Sequence, residues 1–334
     1  MRSTIKEVAH RAGVSTATVS RVFNNSPLVV DDTRQRILKV ANDLRYHPNP
    51  LARSLSTQKA HSIGLLLPDL YGEFFSEVIR GVDQIVQEKD NHLLVSSSHS
   101  KTSEVESALK MMRGRVDGII IMSPAIDSQT LHKNLPHDMP VILLNCYVEG
   151  DTIDSINVDN YGGSYEMVKH LASHGHTRIA IIKGTETNYD AKQRLKGYRS
   201  AVKESHCVLS TELEIEGDLT KESGYAAGKK ILKMTPLPTA IFASNDSMAF
   251  GAISALKEEG VTIPNDMAIA GFDDIPIARF MQPKLSTVKI SISEFGTLGA
   301  QRLYDAIENM DHHRIQHIII PTELSLRESC GCQS

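Results

Sequence analysis

Two sets of residues in this chain have the types and spacing to do chemistry. The first lies in VSTATVSRVFNN (14–25), where Ser15, Thr16, Thr18 and Ser20 surround two valines and Arg21 stands near the end. Short hydroxyls allow close approach to a phosphate backbone, and a guanidinium fork can take guanine O6 and N7 together. The second set is dispersed. Asp69, Ser98, Ser123, Asn145, Lys183, Asn245–Asp246 and Asp273–Asp274 each follow an apolar run, and Arg194 comes early in the helical stretch after another. Gathered in one cleft, such groups suit a small polar molecule, with Phe74 and Phe75 as apolar walls. Singly, each has a plainer reading, because Asp and Asn favour turns.

Catalytic and metal chemistry find less support. The chain has no G-x-x-x-x-G-K-[ST], H-E-x-x-H or G-x-S-x-G, so no enzyme activity and no cofactor are expected. Asp273 and Asp274 are expected to point apart on an extended strand end, which disqualifies them as an acid–base pair. His174-x-His176 and His312–His313 lack a third ligand nearby in sequence and are assigned capping or surface roles. Cys330-Gly331-Cys332 is a pattern for metal or oxidation chemistry, yet its position favours a loose terminal tail. No metal is expected.

The elements that position the first set are short helices. Thr4-Ile5-Lys6-Glu7 fits a capping box, Ile5, Val8, Ala9 and Ala12 share one face, and Gly13 ends the helix. Ser15 can cap a second helix to about Phe23, with Val14, Val19 and Val22 inward. A third begins at Asp31 or Asp32, with Ile37, Leu38, Ala41 and Leu44 as its buried stripe. Two short helices around a tight glycine turn make a helix-turn-helix. Ser15, Thr16, Ala17, Ser20 and Arg21 then lie outward, and the helix start is where such motifs meet base edges. Charge agrees: residues 1–59 hold ten Arg/Lys against four acids, +6 within a chain of net −4, leaving −10 elsewhere. A basic head on an acidic body points to a polyanion partner. In Tyr46-His47-Pro48-Asn49-Pro50 both residues before proline are biased extended. Asn49 can then cap a short helix, Leu51–Leu55, too short to persist alone.

From residue 61 apolar runs and amphipathic stretches alternate. SIGLLLP (62–68), HLLVSSS (92–98), DGIIIMS (117–123), PVILLN (140–145) and SINVD read as strands. So do RIAIIKG (178–184), ELEIEGD (212–218), TAIFASND (239–246) and MAIAGFDD (267–274), with helices between them. Such cycles mean parallel sheets in two lobes, with ligands bound beyond the carboxyl ends of the strands. PKLSTVKIS (283–291) is expected to return the chain to the first lobe.

TIKEVAHRAGVSTATVSRVFNN followed by YHPNPLARSL resembles the start of the lactose-repressor (LacI/GalR) family of bacterial regulators. The likeness continues through RVDGIIIMSP, HLASHGHTRIAIIKG, RLKGYRSAV, PTAIFASNDSMAFGAI and GFDDIP. It implies a helix-turn-helix in the major groove, paired hinge helices pushing Leu55 into the minor groove, and phosphate contacts at Ser20 and Asn24. The DNA-facing set is therefore Thr4, Ser15, Thr16, Ala17, Ser20, Arg21, Asn24, Asn49 and Leu55. It also implies a periplasmic-binding-protein-like body of two doubly wound lobes, with Arg194 and Asp273 as principal effector contacts. Asp69, Phe74, Phe75, Ser123, Asn145 and Asn245 complete the effector set. Where several relatives stack an aromatic ring on the ligand, this chain has Leu219.

The expected organisation is a DNA-binding domain at 1–47 and a hinge at 48–60. A first lobe at 61–160 plus 291–320 and a second at 161–290 plus 321–330 follow. The expected protein is a homodimeric repressor on a near-palindromic operator, since the chain stops before any tetramerising heptads. Scattered cysteines, no membrane-length apolar run and no signal-peptide core place it in the cytoplasm, at the nucleoid. The first choice of effector is a neutral sugar; the alternatives are a sugar phosphate, a nucleobase or a phosphorylated protein co-regulator. Replacing Leu55 by alanine should weaken binding in an operator titration and leave effector binding unchanged. Unaltered operator affinity would remove the hinge argument.

Overall fold

Caps and periodicity account for the amino-terminal helices. The computed structural model describes residues 3–23, 26–46, 59–126, 128–136, 139–147 and 152–332. Asn24, Asn49, Leu55 and the hinge helix expected at 51–55 lie outside them. The chain divides into two units, Met1–His61 and Ser62–Ser334.

In the first unit, α1 (Ile5–Ala12) begins where the Thr4 hydroxyl accepts the Glu7 N–H, 3.3 Å away. It ends at Gly13, whose φ of 65° lets its N–H return to the Ala9 and His10 carbonyls. Helix α2 (Thr16–Phe23) is capped by Ser15, which accepts the Thr18 N–H at 3.1 Å. Arg34, on α3 (Asp31–Asp43), donates to the Val22 and Ser26 carbonyls at 3.3 and 2.7 Å, satisfying acceptors at and beyond the end of α2. Val8, Ala9, Ala12, Val19, Val22, Ile37 and Ala41 close the core. Leu38, expected in the buried stripe, is instead exposed. It stands one residue, or about 100°, around the helix from Ile37, outside the narrow sector that two short partner helices can cover.

The second unit opens with β1 (Ser62–Leu67), α4 (Glu73–Glu88), β2 (His92–Ser97), α5 (Thr102–Met112) and β3 (Gly118–Met122). Next come α6 (Ser128–Asn134), β4 (Val141–Leu144) and β5 (Asp154–Val158). A second series repeats the cycle: α7 (Asn160–Ser173), β6 (Ile179–Lys183), α8 (Tyr189–Glu204), β7 (Glu214–Glu216) and α9 (Lys221–Ile231). It continues through β8 (Ala240–Ala243), α10 (Asp246–Glu258), β9 (Ala268–Asp273) and β10 (Ser286–Lys289). Last come α11 (Ile292–Glu308), β11 (His317–Ile320) and β12 (Glu323–Ser325). The central strands are nearly continuous runs of Ile, Leu, Ala and Phe, as burial on both faces requires.

The sheets are near-copies. One runs β2-β1-β3-β4-β5-β11, all parallel; the other runs β7-β6-β8-β9-β10-β12, parallel except for β12. The chain passes between them three times, after β5, after β10 and after β11. The return expected over 283–291 is shorter, because β10 pairs with β9 in the second sheet and only residues 290–291 cross. The carboxy-terminal tail is not loose. Ser329 and Cys330 are buried, with the Ser329 hydroxyl donating to the Ile269 carbonyl at 2.6 Å. His313 is not a bare surface residue either: its Nε2 lies 2.6 Å from Asp154, which Arg302 also grips.

Helix α11 packs on α4 through a close backbone approach. A Cβ at Gly81 would stand 1.9 Å from the Ser293 carbonyl oxygen, and one at Gly296 would stand 2.4 Å from that of Val78. Both obstacles are backbone, so neither can swing aside. Gly81→Ala should therefore destabilise the protein by about 1–3 kcal/mol in urea unfolding, the usual cost of overpacking.

Candidate functional site

The outward face of α2 has the expected composition. Ser15, Thr16, Ala17 and Arg21 are exposed, Ser20 is half-buried, and Thr4 is exposed beside its own cap. Ser15 is partly committed, since its oxygen also lies 2.9 Å from the Thr18 hydroxyl. Thr16, Ala17 and Arg21 carry no such internal duty among the described contacts, and the face they form is small, polar and basic.

The second unit holds a cleft of about 750 Å³ between its two sheets, of a size for a small molecule. Its floor is built on Arg194, only 6% exposed. The guanidinium Nε donates to Asn160 Oδ1 at 2.7 Å, Nη1 donates to the Ser244 carbonyl, and Nη2 meets Asp273 Oδ1 as an ion pair at 3.2 Å. Its carbon centre lies 3.8 Å from the centroid of the Phe272 ring. Asn160, at the start of α7, donates from Nδ2 to Asp190 Oδ1 at 2.9 Å. Asp273 ends β9 at φ 112° and Asn145 follows β4 at φ 47°, both backbones that L-residues seldom adopt. Asn145 Oδ1 is buried without a hydrogen-bond partner, an acceptor waiting for a donor.

The structure brings seven of the eight expected effector residues to this cleft: Asp69, Phe74, Phe75, Asn145, Arg194, Asn245 and Asp273. Ser123 is the exception. It is 1% exposed and does not line the cleft, and its backbone N–H donates to Cys146 Sγ at 3.0 Å. Asn245 lines the cleft with its amide committed, accepting from Met248 N and donating to the Leu219 carbonyl, each at 2.9 Å. Lys183 is held by Glu216 at 2.9 Å, away from the cleft. Ser98, Asp246 and Asp274 serve internal bonds: Ser98 to Leu67, Asp246 to Ile275 and Thr287, Asp274 to Arg327 and Ser325. Asp273 and Asp274 do take different partners, but through positive φ at both residues (112° and 55°) and not through extended alternation.

Sequence reading missed Asp190, Glu73 and Tyr71. Asp190 lies one helical turn before Arg194 on α8, and that i, i+4 spacing was the available signal. Glu73 accepts the Ile277 N–H at 3.0 Å across the cleft mouth, and exposed Tyr71 adds a ring beside Phe74 and Phe75. Leu219 closes the opposite side with an aliphatic face. A second bridge joins the lobes where Tyr189 N–H donates to the Pro124 carbonyl at 2.9 Å and its ring stacks on Tyr147 at 5.0 Å.

Burial dominates the electrostatics. It pushes Asp190 up to about 7 and Asp273 up to about 6, although Arg194 favours the ionised form of both. Asp273 in turn raises Asp190, since one guanidinium serves two carboxylates.

The amino-terminal residues 4–49 match a family model described as bacterial regulatory proteins, lacI family. Residues 168–330 match one described as a periplasmic binding protein-like domain. The probable HTH-type transcriptional repressor ExuR of Bacillus subtilis (strain 168) is 37% identical over 331 residues, covering 98% of each chain. Among solved structures, the lac repressor dimer bound to operator and the anti-inducer ONPF aligns at a TM-score of 0.86. Its sequence identity is 26%, and 99% of each chain is covered. A transcriptional regulator CelR–cellobiose complex aligns at 0.74 with 27% identity, over 98% of this chain and 100% of that one.

The raised carboxylates give two opposing pH slopes. Between the ordinary carboxylate pKa and about 7 the folded chain holds more protons on Asp190 and Asp273 than the unfolded chain. Their contribution to stability is thus fully present at low pH and is lost as pH rises through that window. Asp190→Asn should flatten that slope in chemical unfolding between about pH 4 and about pH 8. A ligand whose hydroxyls donate to these carboxylates needs them ionised, so its affinity should fall as pH drops from about 8 to about 5.

Proposed function

This chain belongs to the lacI family of bacterial regulatory proteins, and from that membership we propose that a small polyhydroxylated effector in the cleft governs its hold on operator DNA. The protein is a DNA-binding transcriptional repressor of the helix-turn-helix type, acts as a homodimer on operator DNA, and is a regulator and not an enzyme. In the proposed assignment residues 1–47 read DNA and 48–60 form the hinge. Residues 61–160 with 291–320, and 161–290 with 321–330, form the two lobes. Thr16, Ala17 and Arg21 meet the major groove, supported by the exposure of Thr16 and Ala17 at the start of α2 and of Arg21 in its last turn. No helix among the described residues is long and apolar enough to cross a membrane. The proposed location is the cytoplasm, at the nucleoid where the operator lies.

The observation that carries the effector reading is the buried pair Arg194–Asp273 beside the unpartnered Asn145 oxygen. An amide oxygen that lacks a donor, beside a carboxylate held on one side by Arg194, suits adjacent hydroxyl groups, and Phe74 and Phe75 suit the apolar face of a sugar ring. A strongly anionic ligand is disfavoured. Arg194 is already surrounded, Lys183 is turned away, and Asp69, Glu73, Asp190 and Asp273 line the walls. Leu219 offers a planar nucleobase no ring on the side of the second lobe. One of the solved structures named above is described with cellobiose, which supports a sugar.

Effector closes or opens the lobes, changes the separation of the paired hinges and so changes operator affinity. DNA must shift effector affinity by the same factor. Thermal stability of the full chain against a panel of mono- and disaccharides, sugar phosphates and nucleobases tests the reading. One sugar in ~100-fold excess over its Kd should stabilise by about 2.7 kcal/mol. The gain should vanish in Asp273→Asn and Asn145→Ala. A shift that survives both substitutions, or one given only by nucleobases, would overturn it.

A further inference from the structure

The carboxy-terminal Cys330-Gly331-Cys332 meets two histidines that sequence spacing kept far from it. His170 and His174 are four residues apart, so they project from one side of the last turn of α7 and just beyond it. Cys330 Sγ and Cys332 Sγ each lie 3.5 Å from His170 Nε2, and Cys332 Sγ lies 3.7 Å from His174 Nε2. The donor atoms of His170, Cys330 and Cys332 all fall within 4.8 Å of one another; His174 stands outside that mutual group and reaches it at Cys332.

These separations match a particular coordination. Two ligands at a tetrahedral angle, with Zn–S near 2.3 Å and Zn–N near 2.0–2.1 Å, stand about 3.5–3.6 Å apart. The sulfur–nitrogen distances here, 3.5 and 3.7 Å, are of that size. Ligand chemistry agrees, since two thiolates and two imidazoles form a soft set suited to zinc. The outer contacts orient the set as well. His174 Nδ1 lies 3.0 Å from the His170 carbonyl, which places a proton on Nδ1 and leaves the Nε2 lone pair facing Cys332. The Ser286 hydroxyl donates to Cys330 Sγ at 3.0 Å, and Ser329 anchors the turn before it.

We propose that Cys330, Cys332, His170 and His174 bind one zinc ion, fastening the carboxy-terminal segment to α7. The H-x-x-x-H half has the spacing of structural zinc sites, and the C-x-C half is one residue tighter than their usual minimum. Nothing in the effector cleft is required for this site, and the ion would be structural, with all four positions filled by protein.

The test uses the full-length protein prepared under reducing conditions without chelators. Elemental analysis should find about one zinc per chain, released when the thiols are blocked. Exchange into cobalt(II) should give thiolate-to-metal absorption in the near ultraviolet and the visible bands of a tetrahedral centre. Cys332→Ser and His174→Gln should each lose the ion while far-ultraviolet circular dichroism stays unchanged. Chelation should lower the unfolding midpoint of the parent and not that of the variants. Metal-free parent protein without cobalt absorption would overturn the proposal. So would a Cys330–Cys332 disulfide in the reduced preparation, or zinc retained by both variants.

Discussion

The second unit depends on one buried guanidinium. Arg194 is taken out of water, a step that costs several kcal/mol unless its donors and charge are met. Asn160 on α7, the Ser244 carbonyl after β8 and Asp273 at the end of β9 meet them, and Phe272 lies against its flat face. The residue therefore ties a helix start and two strand ends to α8 at one point. Removing it would leave the buried carboxyl groups of Asp190 and Asp273 without the cation that offsets their burial. Asp273 can hold its unusual φ because this partner fixes the carboxylate, and the cleft inherits its shape from that.

The same arrangement explains why two carboxylates there titrate so late. One cation shared by two acids cannot compensate both fully while burial penalises each. The resulting site is poised so that its proton content depends on what occupies the cleft. A ligand that brings hydroxyl donors draws both acids toward ionisation, and its binding is linked to proton release.

Much of this was legible in the chain. Apolar runs bounded by polar ends marked the strands, because strands buried on both faces have no polar alternation to obscure them. Arg194 and Asp273 were legible because each stands in a recognisable motif at a strand end or in the helix beyond one. Ser123 does not line the cleft because the strand-end rule does not say whether the first residue beyond the strand stays open to it, and here that residue is buried. Leu38 was misread because helical period alone does not set how wide a face its neighbours cover. Cys330 and His170 were separately visible, but their meeting depends on tertiary packing between elements 160 residues apart. No local pattern carries that information.

The three passages between the lobes leave from one margin of each sheet. Strands β5 and β11 are neighbours at the edge of the first, and β10 and β12 are neighbours at the edge of the second. Three peptide ribbons side by side act as a strip hinge, compliant to bending about the line that joins them and stiff to shear and torsion. Relative motion of the lobes is thereby reduced to nearly one degree of freedom. Displacement in such a motion would be smallest along the β11 and β12 margin and would grow toward β2 and β7 at the far edges. Closure of the cleft would thus follow a swing whose direction is set by chain connectivity before any ligand arrives.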